Sequence, residues 1–200
     1  MNIIYFEKLD STNTYAKNNI ENLSDKTIIS ADMQTNGHGR FERSWVDLGS
    51  ENIYMSFVLK PVEKISQVHA DLTRYLSVCI CKQLEEMGLS PNIKYPNDIL
   101  INEKKVCGIL AETVIKGGKS KGIVLGLGVN LNASAERLSQ IDAPATSINV
   151  ELGQNINKKE FMEDLIKRFF TDYDEFLQKG FEFIKEDYER RSFAAQKFSS

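Results

Sequence analysis

The spacing of apolar positions divides this chain into short β-like runs and a few longer helical stripes. Val68, Leu72, Tyr75, Leu76, Cys79, Ile80 and Leu84 recur every three or four residues, the period of one helix face. That stripe predicts a helix over residues 66–87, with Gly88 where a left-handed C-terminal residue belongs. Further helices are expected over 158–178 and, amphipathic, over 181–191. Runs at 3–6, 27–31 and 52–60 read as strands, the last ending at Pro61. Asp10, Ser11 or Thr12 would cap a short helix over 13–19. Residues 99–101 and 106–114 pair about a turn at 102–104, and a second turn at 117–120 returns as 122–131. Strands and helices interleave without a regular βαβ rhythm. The expectation is therefore an α/β (α+β) fold, a mixed β-sheet flanked by helices, occupying residues 1–190 as one domain.

Composition narrows the function classes. Of 200 residues, 42% are hydrophobic and 26% charged, which suits a single ordinary core. Twenty-five basic against 28 acidic residues leave a net charge of −3, so no global field favours nucleic acid, and anion handling must be local. The opening MNIIYFEKLD lacks the basic and apolar regions of a signal peptide. No run approaches the roughly 18 apolar residues of a membrane span. Cys79, Cys81 and Cys107 fit neither a disulfide framework nor a zinc site; core filling in a reduced, cytoplasmic protein is the expectation.

Four segments gather polar groups in apolar surroundings, three of them with glycine. Ser11-Thr12-Asn13 either caps a helix or clusters small polar groups able to hold a urea-like carbonyl. From Met33 to Trp45 periodicity collapses into a long loop, Gln34-Thr-Asn-Gly-His38-Gly39-Arg40-Phe-Glu-Arg43-Ser-Trp45. Its glycines let backbone approach a ligand, its arginines offer forked donors to phosphate or carboxylate, and Trp45 offers a flat apolar wall. Lys94-Tyr-Pro-Asn97-Asp98 is a turn signal, yet Asn97 and Asp98 also carry hard oxygens suited to Mg²⁺ beside phosphates. Lys105-Val-Cys-Gly108-Ile-Leu110 starts a strand whose lysine can sit at a pocket rim. Gly126-Leu-Gly128-Val-Asn130 places two glycines inside a strand, a sign of a bulge or of something packed on the backbone.

In this order the segments resemble the biotin–protein ligase family, strongly from about residue 10 to 130 and more loosely to about 191. Ser11-Thr12-Asn13 is similar to its STN, Lys94 to Asp98 to its KWPND with Tyr95 for tryptophan, Lys105 to Leu110 to its KxxGIL, and Gly126 to Asn130 to its GxGxN. The resemblance implies a catalytic domain like that of class II aminoacyl-tRNA synthetases. It also implies a two-step reaction: biotin and ATP, with Mg²⁺, give biotinyl-adenylate, and a lysine of a biotin carboxyl carrier domain then takes the biotin. By the same resemblance Arg40 and Lys105 act catalytically. Ser11, Thr12, Asn13, Gln34, His38, Gly39, Gly108, Leu110, Gly126 and Gly128 join them around biotin. Arg40, Arg43, Trp45, Lys94, Asn97, Asp98 and Asn130 bind ATP or the adenylate, with Asp98 toward Mg²⁺ and no tightly bound metal.

The loop departs from the family's GRGRxGR: His38 replaces an arginine and Glu42 a glycine, both weakening the expected grip on the adenylate. The family commonly continues into a small β-barrel, for which residues 191–200 mark the start and which is expected to be absent. No DNA-binding segment is expected before the catalytic part, and a homodimer is an open expectation. The rival readings are a lipoate or octanoate ligase, a cysteine transferase using Cys107, and a non-catalytic biotin-binding module.

Overall fold

The computed structural model describes residues 2–61 and 65–193, without the side chains of residues 42 and 65–67. Residues 194–200 of the expected tail, and the Glu42 side chain, lie outside the described residues. Seven strands form one sheet in the order β1-β2-β3-β7-β6-β5-β4. They are β1 (Asn2–Leu9), β2 (Thr27–Gln34), β3 (Ile53–Leu59), β4 (Pro91–Lys94), β5 (Asp98–Ile101), β6 (Lys104–Lys116) and β7 (Lys119–Val129). β1 and β2 are parallel and the other neighbours antiparallel, so the sheet is mixed as expected. Helix α1 (Thr12–Asn18) makes the crossover that parallel pairing requires.

Two-residue alternation splits the central strands into two faces. Phe57, Leu59, Cys107, Ile109, Ile123, Leu125, Leu127 and Val129 point into the main core. There they meet α2 (Ile65–Glu86), α5 (Lys158–Thr171) and α6 (Tyr173–Lys179). Leu72, Leu76, Ile80 and Leu84 of α2 are fully buried, each worth about 1.5–3 kcal/mol as an upper bound. α2 ends as its sequence requires: Gly88 has φ +86°, its N–H donates to Glu85 O, and Leu89 N–H donates to Leu84 O.

On the opposite face Ile29, Val58, Val114 and Val124 pack against Ala16 and Ile20 beside α1. The same alternation carries Ser56, Gly108, Leu110, Glu112, Gly126 and Gly128 onto this face. Apolar packing gives way there to glycine and polar positions, which opens space for the site.

Four features depart from expectation. The helix expected over 158–178 breaks at Asp172 (φ −110°, ψ 8°) into α5 and α6. The break lets Phe176 stack on Tyr75 with ring centroids 4.4 Å apart, and Tyr173 on Phe169. The expected helix over 181–191 begins as a 3-10 turn, Gly180–Phe183, before α7 (Lys185–Arg190). β4 and two short helices, α3 (Ala135–Leu138) and α4 (Ile148–Leu152), were not expected from periodicity. The turn at 117–120 tightens to Gly117–Gly118, both at positive φ, so β7 begins at Lys119.

Candidate active site

The second face opens into a cleft of about 530 Å³, within the usual range for a small-molecule site. Its floor is glycine because side chains lie directly on the strands. A Cβ on Gly126 would stand 2.1 Å from Asn13 Oδ1, one on Gly128 2.4 Å from the Trp45 ring, and one on Gly108 2.7 Å from the same ring. Every candidate residue except Ser11 lines this cleft. Ser11 is the N-cap of α1, its Oγ accepting from Thr14 N–H at 3.4 Å, so the capping alternative describes its side chain.

At one end the cleft is polar and tightly bonded. Thr12 and Asn13 are each 4% exposed. Thr12 N–H donates to Gln34 Oε1 at 2.7 Å. Asn13 Nδ2 donates to Glu112 Oε2 at 2.8 Å, and Ser56 Oγ donates to Asn13 Oδ1 at 2.6 Å. Lys17 Nζ lies 2.6 Å from Glu112 Oε1. Burial pushes the Glu112 carboxyl up, but hydrogen bonds from Lys17 and Asn13 outweigh it and hold the group below its ordinary range.

The loop expected to be irregular folds back on itself. Gly39 N–H donates to Arg43 O at 2.7 Å, Trp45 N–H to Gly37 O at 2.9 Å, and His38 bridges Ser44. A 3-10 turn at Arg40–Glu42 closes this flap, with Phe41 left-handed (φ 55°), 80% exposed, and covered by the Arg40 guanidinium at 5.0 Å. His38 Nε2 reaches to 3.6 Å from Glu112 Oε2. The flap carries Trp45 over the glycine floor, with its Nε1 buried and unpartnered.

The other end is charged. Lys105 Nζ sits 2.6 Å from Asp98 Oδ1 and 5.1 Å from the Trp45 ring. Four cations, Arg40, Arg43, Lys94 and Lys105, line the cleft against two acids, Asp98 and Glu103. A chain of net charge −3 thus concentrates positive charge where an anion would sit. Asn97 Nδ2 donates to Ile109 O at 3.0 Å, and the buried Asn130 donates to Thr146 O at 3.0 Å. Both tether connecting segments while bordering the cleft. Among the described residues no group of three or more His, Cys, Asp or Glu side chains is placed to hold a metal. Asp98 offers one carboxylate at this end, and a cation delivered with phosphates needs only one or two.

Glu112, Ser56 and the wall at Ile141 and Ala143 to Ala145 were not anticipated. A lone polar residue inside an apolar strand, on the alternation of the glycine positions, was the available signal for the first two. A groove of about 590 Å³ between α2 and α5 contains none of the sequence candidates.

Residues 5–130, which include most of this cleft, match the biotin/lipoate A/B protein ligase family. The chain belongs to that family. Its similarity extends to the biotin–[acetyl-CoA-carboxylase] ligase of Paracoccus denitrificans, 33% identical over 172 residues, covering 81% of this chain and 69% of that protein. The bifunctional ligase/repressor BirA of Bacillus subtilis is 31% identical over 188 residues, covering 92% of this chain and 57% of BirA. The chain therefore spans a little over half the length of that relative. Among solved structures, the biotin protein ligase from Aquifex aeolicus in complex with biotin and ATP superposes with a TM-score of 0.84 at 30% identity, covering 96% of this chain and 78% of the other.

Family membership alone admits lipoate chemistry, so Cys107 matters. Its side chain is fully buried in the main core, on the face away from the cleft, and burial pushes its thiol well above the ordinary value. A nucleophilic thiolate needs access and a lowered pKa, and Cys107 has neither. No described helix is long and apolar enough to cross a membrane.

Proposed function

We infer that the protein is a biotin–protein ligase, joining biotin to ATP as biotinyl-5′-AMP with release of pyrophosphate and passing the biotin to a lysine of a biotin carboxyl carrier domain. The observation that carries the reading is one cleft with a bonded polar end, a glycine floor and a cationic end, and no cysteine among its lining residues. Acyl adenylation asks for this arrangement, because two anions must be held together with their charge neutralised while a carboxylate oxygen attacks phosphorus.

In this reading Thr12, Asn13, Gln34 and His38, with Ser11 ordering α1 beneath them, receive the ureido end of biotin. Gly39, Gly108, Leu110, Gly126 and Gly128 flank its apolar tail. Lys105 exchanges its contact with Asp98 for the biotin carboxylate and the α-phosphate, and Arg40 neutralises the same phosphate. Arg43, Lys94, Asn97 and Asn130 border the nucleotide, and Trp45 walls it. Mg²⁺ would be held by Asp98 and the phosphates, and supplies charge neutralisation on the departing pyrophosphate. In the second half-reaction the carrier's lysine amine attacks the acyl carbon and AMP leaves. A cytoplasmic location belongs to the same proposal, supported by three buried, free cysteines.

The test is ATP-dependent transfer of labelled biotin to a purified biotin carboxyl carrier domain. Label on the carrier's lysine is expected; label that reaches no protein, with the wild-type chain folded, contradicts the transfer step.

A further inference from the structure

Resting on the biotin reading, we propose that Glu112 is a positioning residue that fixes which way the hydrogen-bond chain at the polar end runs, and thereby makes Thr12 an acceptor toward the substrate's N–H.

A carboxamide is nearly symmetric in shape, and flipping it exchanges donor for acceptor. Asn13 has no such freedom here. Glu112 is an ionised carboxylate and only accepts, so Asn13 must turn Nδ2 toward it, at 2.8 Å. Leu110 O, also an acceptor, lies 3.4 Å from the same nitrogen. Asn13 Oδ1 then faces Ser56 Oγ at 2.6 Å and has no proton to give. Ser56 carries one proton and is fully buried, so Asn13 takes it. The 2.8 Å contact between Ser56 Oγ and Thr12 Oγ1 is left to the Thr12 proton, whose alternative target is Gln34 Oε1 at 3.1 Å. In either case Thr12 turns its proton away from the cleft and offers a lone pair to it. Gln34, whose Oε1 already accepts the Thr12 N–H, keeps its NH₂ as a donor. A cyclic urea asks for that set: a donor against its oxygen and an acceptor against its N–H.

Replacing Glu112 by glutamine removes the constraint. The new amide keeps its oxygen toward the Lys17 ammonium, so its NH₂ faces Asn13, and a flipped Asn13 reverses Ser56 and Thr12 in turn. Lys17 contacts the other carboxylate oxygen, Oε1, and helps hold Glu112 in the acceptor-only form.

The experiment is biotin- and ATP-dependent pyrophosphate release with KM for each substrate. Glu112→Gln is expected to raise KM for biotin about tenfold, leaving KM for ATP and kcat within about twofold. Thr12→Val is expected to do the same, and the double variant to be no worse than the worse single one, because both break one chain. Ser56→Ala interrupts the relay from its middle and carries the same expectation, which keeps the test intact should one variant fail to fold. Multiplying effects of Glu112→Gln and Thr12→Val, or an unchanged KM in either, would overturn the relay. A wild-type enzyme that releases no pyrophosphate with biotin refutes the biotin reading; a normal wild type with unaffected variants refutes the relay alone.

Discussion

Substituting alanine for Gly126 tests the claim that the cleft floor is glycine because a bonded side chain rests on it. The added Cβ would stand 2.1 Å from Asn13 Oδ1, 2.7 Å from its Cγ and 2.8 Å from its Nδ2, all well inside van der Waals contact. Asn13 has little room to yield, being 4% exposed and bonded to Glu112 and Ser56. Overpacking of this kind costs about 1–3 kcal/mol, and stranding the buried Ser56 hydroxyl or Asn13 amide adds about 1–3 kcal/mol. The sum, about 2–6 kcal/mol, corresponds to a fall in Tm of roughly 5–20 °C at this chain length. Gly128→Ala supplies the contrast. Its Cβ would meet the Trp45 ring at 2.4 Å, but Trp45 rides on the flap, which can shift with it, so less than about 2 kcal/mol is expected. Thermal unfolding of the two variants, with KM for biotin measured on whichever folds, reads the difference. Equal Tm for Gly126→Ala and the wild type would refute the reasoning, as would a larger loss in Gly128→Ala.

Other expectations follow from the same contacts. Lys105→Ala should lower biotin-dependent pyrophosphate release by about 10²-fold or more, since it removes a charged stabiliser from a water-poor site; a rate within twofold of wild type removes Lys105 from the chemistry. Hydrogen exchange over residues 36–44 should slow when biotin and ATP are added, the flap closing over a hydrolysable anhydride, and equal exchange with and without them contradicts closure. Arg191, 3% exposed and bonded to Glu85 and Asp187, ties the last described turn to α2. Arg191→Met should cost about 1.5–3 kcal/mol by removing the charged hydrogen bonds to the solvent-accessible Glu85 and Asp187, a loss read by denaturant unfolding. Burial pushes the Asp187 carboxyl up, but Lys82 and Arg191 outweigh it and hold it at about 2 against an ordinary 3.8. A depressed carboxyl stabilises above its unfolded value, so this contribution is present above about pH 4 and lost as pH falls toward 2. Arg191→Met should flatten that acid limb of stability, and an unchanged limb would exclude the pair as its source.

Much of this architecture is legible in the sequence where a period persists. The stripe from Val68 to Leu84 and the cap at Gly88 set α2 to within a residue or two, and the four polar segments, three of them glycine-bearing, meet in one cleft. What stays hidden has physical causes. Phe161, Leu165, Phe169, Tyr173 and Phe176 continue one helical spacing straight through Asp172, so the break that seats Tyr173 and Phe176 on the aromatic core leaves no mark in the pattern. β4 and α3 have four residues each and α4 five, too few for a period to show. The segment between Asn130 and Lys158 is held by contacts made elsewhere, among them Lys105 N–H to Pro144 O and Asn130 Nδ2 to Thr146 O. Glu112 looks like an ordinary strand charge until Asn13, 99 positions away in the chain, is placed beside it.

Pyrophosphate release with ATP and Mg²⁺, run in parallel with biotin, lipoate and octanoate, tests the central claim most directly. Release with biotin alone is the predicted result. Release with lipoate or octanoate instead, or with none of the three, would contradict it.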